Sequence, residues 1–244
     1  MKAAPLEHSM RLDRFLSQTT GLSRTRVRPL LHQNRVFIDQ SPVRDPSIIV
    51  SRDNRITLDN SELPWPRHYY VMLHKPAGVV CSTQDPVNTP VNSLIDTPWA
   101  DQLHTAGRLD ADTTGLVLLT SDGSWSHNVT SPRRECEKCY QVTLKHAAQP
   151  ELVARFAEGL MLNGETSPTL PATLELLGTH KARVRVQEGR YHQIKRMFAA
   201  CSNRVAALHR ESIGTLMLDA GLQPGQWREL SETEVALFAA GPGG

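Results

Sequence analysis

The feature that most constrains this chain is the stretch His104-Thr-Ala-Gly-Arg-Leu-Asp-Ala-Asp-Thr-Thr-Gly-Leu-Val-Leu-Leu-Thr-Ser-Asp-Gly123. Its later part, Gly115 to Thr120, encloses the unbroken apolar run Leu116-Val-Leu-Leu119. A run of that length reads as a strand buried in a core. Before it lies a glycine-led turn, Gly107-Arg108-Leu109-Asp110, which sets a carboxylate beside the strand. An acidic group on a turn next to a rigid strand is open to a ligand yet held by scaffold. An aspartate in a turn is most often a local hydrogen-bonder, so these four residues alone assign nothing.

With 244 residues the chain has room for one large domain or two smaller ones with a sizeable core. It holds no run of about 18 apolar residues, so no membrane span is expected. The opening Met1-Lys-Ala-Ala-Pro-Leu-Glu-His lacks the apolar core of a signal peptide, and a cytoplasmic protein is expected. Cys136 and Cys139 form a C-x-x-C, but no second pair at zinc-ligand spacing accompanies them. Cys139 to Leu144 reads as a strand, whereas a redox pair normally opens a helix. Unpaired, reduced thiols are therefore expected.

The net charge of +2 becomes informative once divided along the chain. Residues 10–58 hold nine Arg, no Lys and four Asp, a net +5, while residues 59–244 hold 17 basic and 20 acidic residues, a net −3. A basic N-terminal module on a mildly acidic body points to a polyanion bound at one end.

Within that module, after a flexible tail over residues 1–9, Leu12, Phe15 and Leu16 fall at helical spacing and Gly21 is placed to end the helix. Ser23 is placed to cap a second helix. Arg24, Arg26, Arg28 and Arg35 run along and just past it, a placement that suits either a solvated basic face or cations laid along a phosphate backbone. Val36-Phe-Ile38 and Ile56-Thr-Leu58 read as strands. The segment resembles the S4 RNA-binding domain through Arg11-Leu-Asp-Arg-Phe-Leu16, Gly21-Leu-Ser-Arg24 and Asn34-Arg-Val-Phe-Ile-Asp39. It departs from that pattern at Gln40-Ser41, where a turn glycine is usual, and at Pro29, which is expected to kink the second helix. Residues 59–68, polar with two prolines, read as a linker.

The body from 69 to 240 reads as strands at Tyr69–His74, Val79–Thr83, Gly115–Thr120, Lys138–Leu144, Ala182–Gln187, Val205–Arg210, Thr215–Leu218 and Gln226–Leu230. Between Pro86 and Pro98 a loop with a short helix is expected. Helices are expected at Ser124–Val129, Pro150–Leu160 and Tyr191–Cys201, with a last one capped by Ser231 and Glu234. Strands outnumber helices and mostly lie within turn distance of one another. The expectation is an α+β fold, a mixed and mostly antiparallel sheet with flanking helices.

Two further stretches carry chemistry. Glu188-Gly-Arg-Tyr-His-Gln-Ile-Lys-Arg-Met-Phe198 is basic and aromatic, and from Arg183 to Arg210 seven basic residues face a single Glu. Such interleaving suits RNA, whose phosphates and exposed bases are both contacted. On a helix, Tyr191, Lys195 and Phe198 share one face, and His192 and Arg196 another. In Cys136-Glu-Lys-Cys-Tyr-Gln-Val142, Tyr140 shares a strand face with Lys138 and Val142, while Cys139 faces away.

Taken in order, His74-Lys-Pro-Ala-Gly78, Gly107-Arg-Leu-Asp110, Lys138-Cys-Tyr-Gln-Val142 and Gly189-Arg-Tyr-His-Gln-Ile-Lys195 closely resemble the RsuA family of pseudouridine synthases. The resemblance spans about residues 11 to 235. Finer matches, among them Cys81-Ser-Thr83, Thr113-Thr-Gly-Leu-Val117, Asp122-Gly-Ser-Trp-Ser-His127 and Thr130-Ser-Pro-Arg133, favour members acting on small-subunit (16S) ribosomal RNA at the uridine known as 516.

The resemblance implies Asp110 as the catalytic carboxylate, Lys195 as its ion-pair partner and Tyr140 as the ring that stacks on the extruded uracil. Arg108 is implied to hold the rearranged RNA, with Arg190, His192, Gln193 and Arg196 as further RNA contacts beside Arg11, Arg24, Arg26, Arg28 and Arg35 of the first module. Isomerising uridine involves no redox change, so no cofactor is expected. The expected partner is 16S rRNA, free or in an assembling particle, and the expected state a monomer. Three rival readings remain. A synthase for 23S rRNA is the nearest, and a non-catalytic S4-type RNA-binding or assembly factor the second. Asp112 beside Asp110 also permits a two-carboxylate glycoside hydrolase, which the basic surroundings and the 5% aromatic content disfavour.

Overall fold

A computed structural model describes residues 9–82, 88–131 and 136–239. The chain divides into two compact units, 1–68 and 69–244. The expected tail falls almost wholly outside the described residues, as do Thr83, Pro86, Pro132 and Arg133 of the stretches quoted above.

The first unit contains β1 (Ser9–Arg11), α1 (Leu12–Thr20), α2 (Arg24–His32), β2 (Val36–Ile38), β3 (Ser41–Pro42), β4 (Ile49–Ser51), β5 (Ile56–Leu58) and β6 (Ser61–Glu62). Leu12, Phe15 and Leu16 of α1 and Val27, Leu30 and Leu31 of α2 are buried together with Val36 and Ile56, as their helical spacing requires. Gly21 ends α1 in the left-handed conformation, φ 72°. The second helix runs unbroken through the exposed Pro29, since packing of Val27, Leu30 and Leu31 holds it on either side. Strands β3, β2, β5 and β6 form an antiparallel sheet whose two tight hairpins turn on Asp39-Gln40 and Asp59-Asn60, all four residues with positive φ. Gln40 therefore takes a backbone position that glycine would fill more easily, steadied by the Asp39 carboxylate, which accepts from Arg55 N and Asn54 Nδ2 at 2.8 Å each.

The stretch read as a linker belongs to this unit. Ser61–Glu62 pairs with β5, Leu63 and Trp65 pack on the core, and the Trp65 ring lies 5.1 Å from that of Phe15. The two prolines masked an apolar anchor, because the Trp65 ring finds its partner in Phe15, 50 residues upstream.

The second unit contains β7 (Tyr70–Lys75), β8 (Val79–Val80), β9 (Thr89–Pro90), β10 (His104–Thr105), β11 (Thr114–Thr120), α3 (Gly123–Thr130), β12 (Lys138–Leu144), α4 (Glu151–Glu158), β13 (Thr173–Gly178), β14 (Lys181–Val186), α5 (Gln193–Ala200), β15 (Val205–Ile213), β16 (Leu216–Met217), β17 (Trp227–Glu229) and α6 (Glu232–Ala236). Its main sheet has the order β13-β14-β12-β15-β11-β7-β17. All neighbours are antiparallel except β11 and β15, so the fold is the expected α+β with a mixed, mostly antiparallel sheet. Strand β11 is buried on both faces, as its continuous apolar run demands. Val117 and Leu119 join Val71 and Leu73 in one core, while Leu116 and Leu118 join Met72 and Trp125 in another. A third core packs α4 and α5 onto β12, β14 and β15.

Three readings change. Strand β13 was not anticipated, because an edge strand with one buried face shows weak alternation in Thr-Leu-Glu-Leu-Leu-Gly. The strand expected at Val79–Thr83 is reduced to Val79–Val80 within the described residues. Helix α5 begins at Gln193, not Tyr191, because His192 adopts a left-handed backbone, φ 49° and ψ 34°. Tyr191 therefore does not share a helix face with Phe198, which is fully buried while Tyr191 stands in solvent.

Candidate active site

The turn that carries Asp110 is clamped from two strands. Lys75, at the end of β7, is completely buried, and its ammonium donates to the carbonyls of Pro76 (3.0 Å), Ala111 (3.1 Å) and Thr113 (2.8 Å). Burial pushes the Lys75 pKa down, and the three carbonyls take the place of water around the charge. Gly78 N–H donates to the Ala111 carbonyl at 2.8 Å, and Thr113 N–H to that of Asp110 at 3.1 Å. From β15 the buried Arg210 donates Nε to Leu116 O (2.8 Å) and Nη1 to Arg108 O (3.5 Å). Gly115 permits this approach of β11 to β15: at φ +106°, an added Cβ would lie 2.3 Å from the Arg210 carbonyl oxygen. The clamping roles of Lys75 and Arg210 were not foreseen. The visible signal was a lysine closing an apolar strand directly before a proline.

Two residues of the second chemistry-bearing stretch reach Asp110. Lys195, in the first turn of α5, donates Nζ to Asp110 Oδ2 at 2.8 Å and to Asp112 Oδ1 at 2.6 Å. His192 Nε2 lies 3.4 Å from Asp110 Oδ1. Burial works against the Lys195 charge, but its hydrogen bonds to Asp110 and Asp112 outweigh this and raise its pKa. The same hydrogen bond from Lys195 lowers the pKa of Asp112.

Tyr140 completes the set. It sits on β12 opposite Arg210 of β15 and Val184 of β14, next to an irregularity in the ladder with β15, and its half-buried ring packs between two cores. Asp110, Tyr140, Lys195 and His192 line one small cavity of about 90 Å³. It adjoins a wider groove of about 480 Å³ that Arg108, Lys138, Tyr191 and Arg210 also line. Room for one water takes roughly 10–15 Å³, so the inner cavity holds several waters or one small planar ring. Lys138 is itself half-buried, and desolvation lowers its pKa. Cys139 faces away from Tyr140 as expected, its thiol donating to Glu211 Oε2 at 3.5 Å and pushed up to about 11 by burial. All four cysteines are free.

The remaining candidate residues separate into exposed and committed cations. Arg108 is exposed and makes no side-chain hydrogen bond among the described residues. Arg190 is committed to Glu188 (3.0 Å) and to the carbonyls of Ser167 (2.9 Å) and Pro168 (2.6 Å). Arg196 is held by Glu165 (2.9 Å) and Asn163 O (2.7 Å). Gln193 is buried, bonded to Glu188 Oε1 (2.8 Å) and accepting from Arg190 N–H (2.9 Å). These three fasten the 163–170 loop to the turn before α5.

In the first unit, Arg11 pairs with Asp13 (3.2 Å) and Arg35 makes a two-pronged pair with Asp59 (2.7 and 2.5 Å). Arg24, Arg26 and Arg28 are exposed and have no ion-pair partner among the described residues. Arg24 and Arg28 line a hollow with Arg11.

Residues 69–200 match the family described as RNA pseudouridylate synthase, and residues 10–56 match the S4 domain. The chain is 49% identical to ribosomal small subunit pseudouridine synthase A of Yersinia pestis, over 95% of this chain and 99% of that protein. It is 47% identical to the protein of the same name from Escherichia coli K12, over 93% and 99% respectively. A solved structure described as a pseudouridylate synthase superposes with a TM-score of 0.69 at 43% identity, covering 94% of this chain and 100% of the other. With a carboxylate, an ammonium and an aromatic ring from three distant segments gathered in one pocket, and a family match over more than half its length, the chain belongs to the RNA pseudouridylate synthases, enzymes that isomerise uridine to pseudouridine in RNA.

Proposed function

We propose that the enzyme acts on 16S ribosomal RNA of the small subunit, at the uridine known as 516, with Asp110 as its catalytic carboxylate. The substrate reading is supported by relatives above 45% identity that carry the name ribosomal small subunit pseudouridine synthase A over nearly their full length. The observation that carries the assignment of Asp110 is the 2.8 Å contact from Lys195 Nζ to its carboxylate, beside the Tyr140 ring.

Isomerisation breaks the N1–C1′ bond, turns the uracil and joins C5 to C1′. The proton lost from C5 is balanced by one gained at N1, so no electrons change hands. The target uridine leaves its helix at a cost of a few kcal/mol and enters the cavity, where stacking on Tyr140 returns roughly 1–3 kcal/mol. A carboxylate in a partly buried pocket loses some of its hydration, and the Lys195 ammonium supplies a hydrogen bond in its place. The 2.8 Å contact from Lys195 thereby places the Asp110 carboxylate to face the ribose.

The test is to map pseudouridine in 16S and 23S rRNA from cells with the gene, without it, and carrying Asp110→Asn. The 16S modification should vanish in the last two. Its persistence without the gene, or loss of a 23S modification instead, would refute the substrate reading, and its persistence with Asp110→Asn alone would remove Asp110 as the catalytic carboxylate.

A further inference from the structure

We propose that Tyr191 is a stacking platform for the RNA base that adjoins the target uridine, and so a positioning residue for the reaction. The inference rests on the reading that the pocket beside Asp110 takes that uridine. Tyr191 is 71% exposed, an aromatic side chain left in water at the rim of the groove that leads to Asp110. It is nevertheless anchored. The His192 ring covers one face of it, with centroids 3.8 Å apart and 23° between the planes. The Tyr191 carbonyl accepts from Arg196 Nη1 at 3.2 Å.

His192 in turn holds a left-handed backbone, φ 49°. A non-glycine residue stays there only where its surroundings impose it, and such residues gather at functional sites. Here the imposing contacts come from Arg190 N–H to Gln193 Oε1 (2.9 Å) and Gln193 Nε2 to Glu188 Oε1 (2.8 Å) on either side of it. The consequence is that one imidazole puts Nε2 3.4 Å from Asp110 Oδ1 and presents its face to Tyr191. A two-ring stack thus runs from the carboxylate outward and ends in an exposed aromatic ring.

The same groove presents the exposed Arg108 and the half-buried Lys138. Cations for phosphates combined with an open π-face are what unstacked RNA requires. Flipping the target uridine strips its neighbour of a stacking partner, and Tyr191 supplies a replacement, giving the order base, Tyr191, His192, Asp110.

The experiment uses a small-subunit rRNA fragment with 2-aminopurine, whose fluorescence reports stacking, placed on the 5′ or the 3′ side of the target uridine. Wild type and Tyr191→Phe should change its emission on binding from one of the two positions, and Tyr191→Ala should not. The alanine variant should raise KM by roughly 5- to 150-fold, the range for loss of one base–aromatic stack, with kcat falling by a smaller factor. Wild-type emission and KM in Tyr191→Ala would overturn the proposal. So would a fall in kcat at unchanged KM, which would mean that the ring serves only to press His192 against Asp110. Should wild type leave this fragment unmodified, an assembling small-subunit particle carrying the same label takes its place, and failure there too counts against the substrate reading alone. The same three proteins are then compared on the rRNA segment that wild type does modify, labelled in the same way, where the same outcomes decide.

Discussion

Lys195 holds Asp110 and Asp112 with one ammonium, at 2.8 and 2.6 Å, although it lies 85 and 83 positions from them in the chain. The two carboxylates are not equivalent. The Asp112 side chain is 74% exposed and solvated, whereas that of Asp110 is 27% exposed and faces the cavity with Tyr140. A shared cation with one solvated and one enclosed carboxylate does not leave two free acids flanking a sugar, which is the arrangement a glycoside hydrolase needs.

Replacing Asp110 by Asn preserves shape and removes the charge. Pseudouridine formation should fall by at least about 10²–10⁴-fold, the scale for loss of an acid–base group, with RNA affinity within a few-fold of wild type. Single-turnover assays alongside filter binding measure both. Appreciable turnover in the variant would remove Asp110 from the mechanism.

Lys195→Met strips both carboxylates of their cation. Activity should drop more than stability, which should change by no more than about 1–2 kcal/mol for a partly exposed, charge-assisted pair. The pH dependence has a defined sign. Lys195 has a raised folded pKa, so its contribution is complete below the unfolded value of 10.5 and is lost as pH rises through the folded one. Asp112 has a lowered folded pKa, so its contribution is complete above 3.8 and is lost as pH falls through the folded value. Denaturant unfolding of wild type and variant should therefore differ by a constant amount between these limits and converge outside them. Absence of any gap between these limits would contradict the pairing.

Gly115→Ala forces a Cβ to within 2.3 Å of the Arg210 carbonyl at a backbone φ of +106°. Strain and overpacking together should cost roughly 2–4 kcal/mol, read as a lower midpoint in urea. Because the same approach joins β11 to β15 behind Asp110, activity per folded molecule should also fall. An unchanged midpoint would show that the strand pair relaxes freely.

Lys75→Met leaves the carbonyls of Pro76 and Thr113 without the ammonium that satisfies them. The destabilisation should be about 3–5 kcal/mol, larger than for Lys195→Met, although both remove one lysine charge. Equal midpoints for the two variants would refute a clamping role.

The first unit is tested through salt. Changing Arg24, Arg26 and Arg28 to Ala removes exposed cations that are not engaged in ion pairs among the described residues. Every RNA phosphate that thereby goes unneutralised should flatten the slope of log affinity against log salt by about 0.7–0.9. Arg35→Ala should have a smaller effect on that slope, since its guanidinium is engaged with Asp59. A triple variant with the wild-type slope would place the RNA path elsewhere.

Strand β11, the capped helix at Ser231, both helices of the first unit and the α+β class were legible because each is a local pattern: an apolar run, a capping box, a helical spacing. Edge strand β13 and the anchor Leu63-to-Trp65 were not. Strand β13 alternates only weakly, and the anchor's partners lie far away in sequence. The same division runs through the site. The family resemblance carried by the ordered motifs pointed to Asp110, Tyr140 and Lys195, and the structure brings the three side chains to one cavity. Residue types and order were not enough to tell that Arg190 and Arg196 are tied to their own loop while Arg108 stays open, since an arginine's freedom depends on which carbonyls surround it.

The sequence by itself determined most of the elements, because helix spacing, strand burial and turn residues act over a few positions, and its resemblance to a family pointed to Asp110, Tyr140 and Lys195. Only the tertiary structure decided that one lysine serves two aspartates, that Lys75 and Arg210 clamp their turn, and that His192 is bent out of the helix to touch Asp110. Those relationships come from strands β7, β11, β12 and β15 meeting the start of α5, and spacing along the chain does not encode a 2.8 Å approach between residues 85 apart.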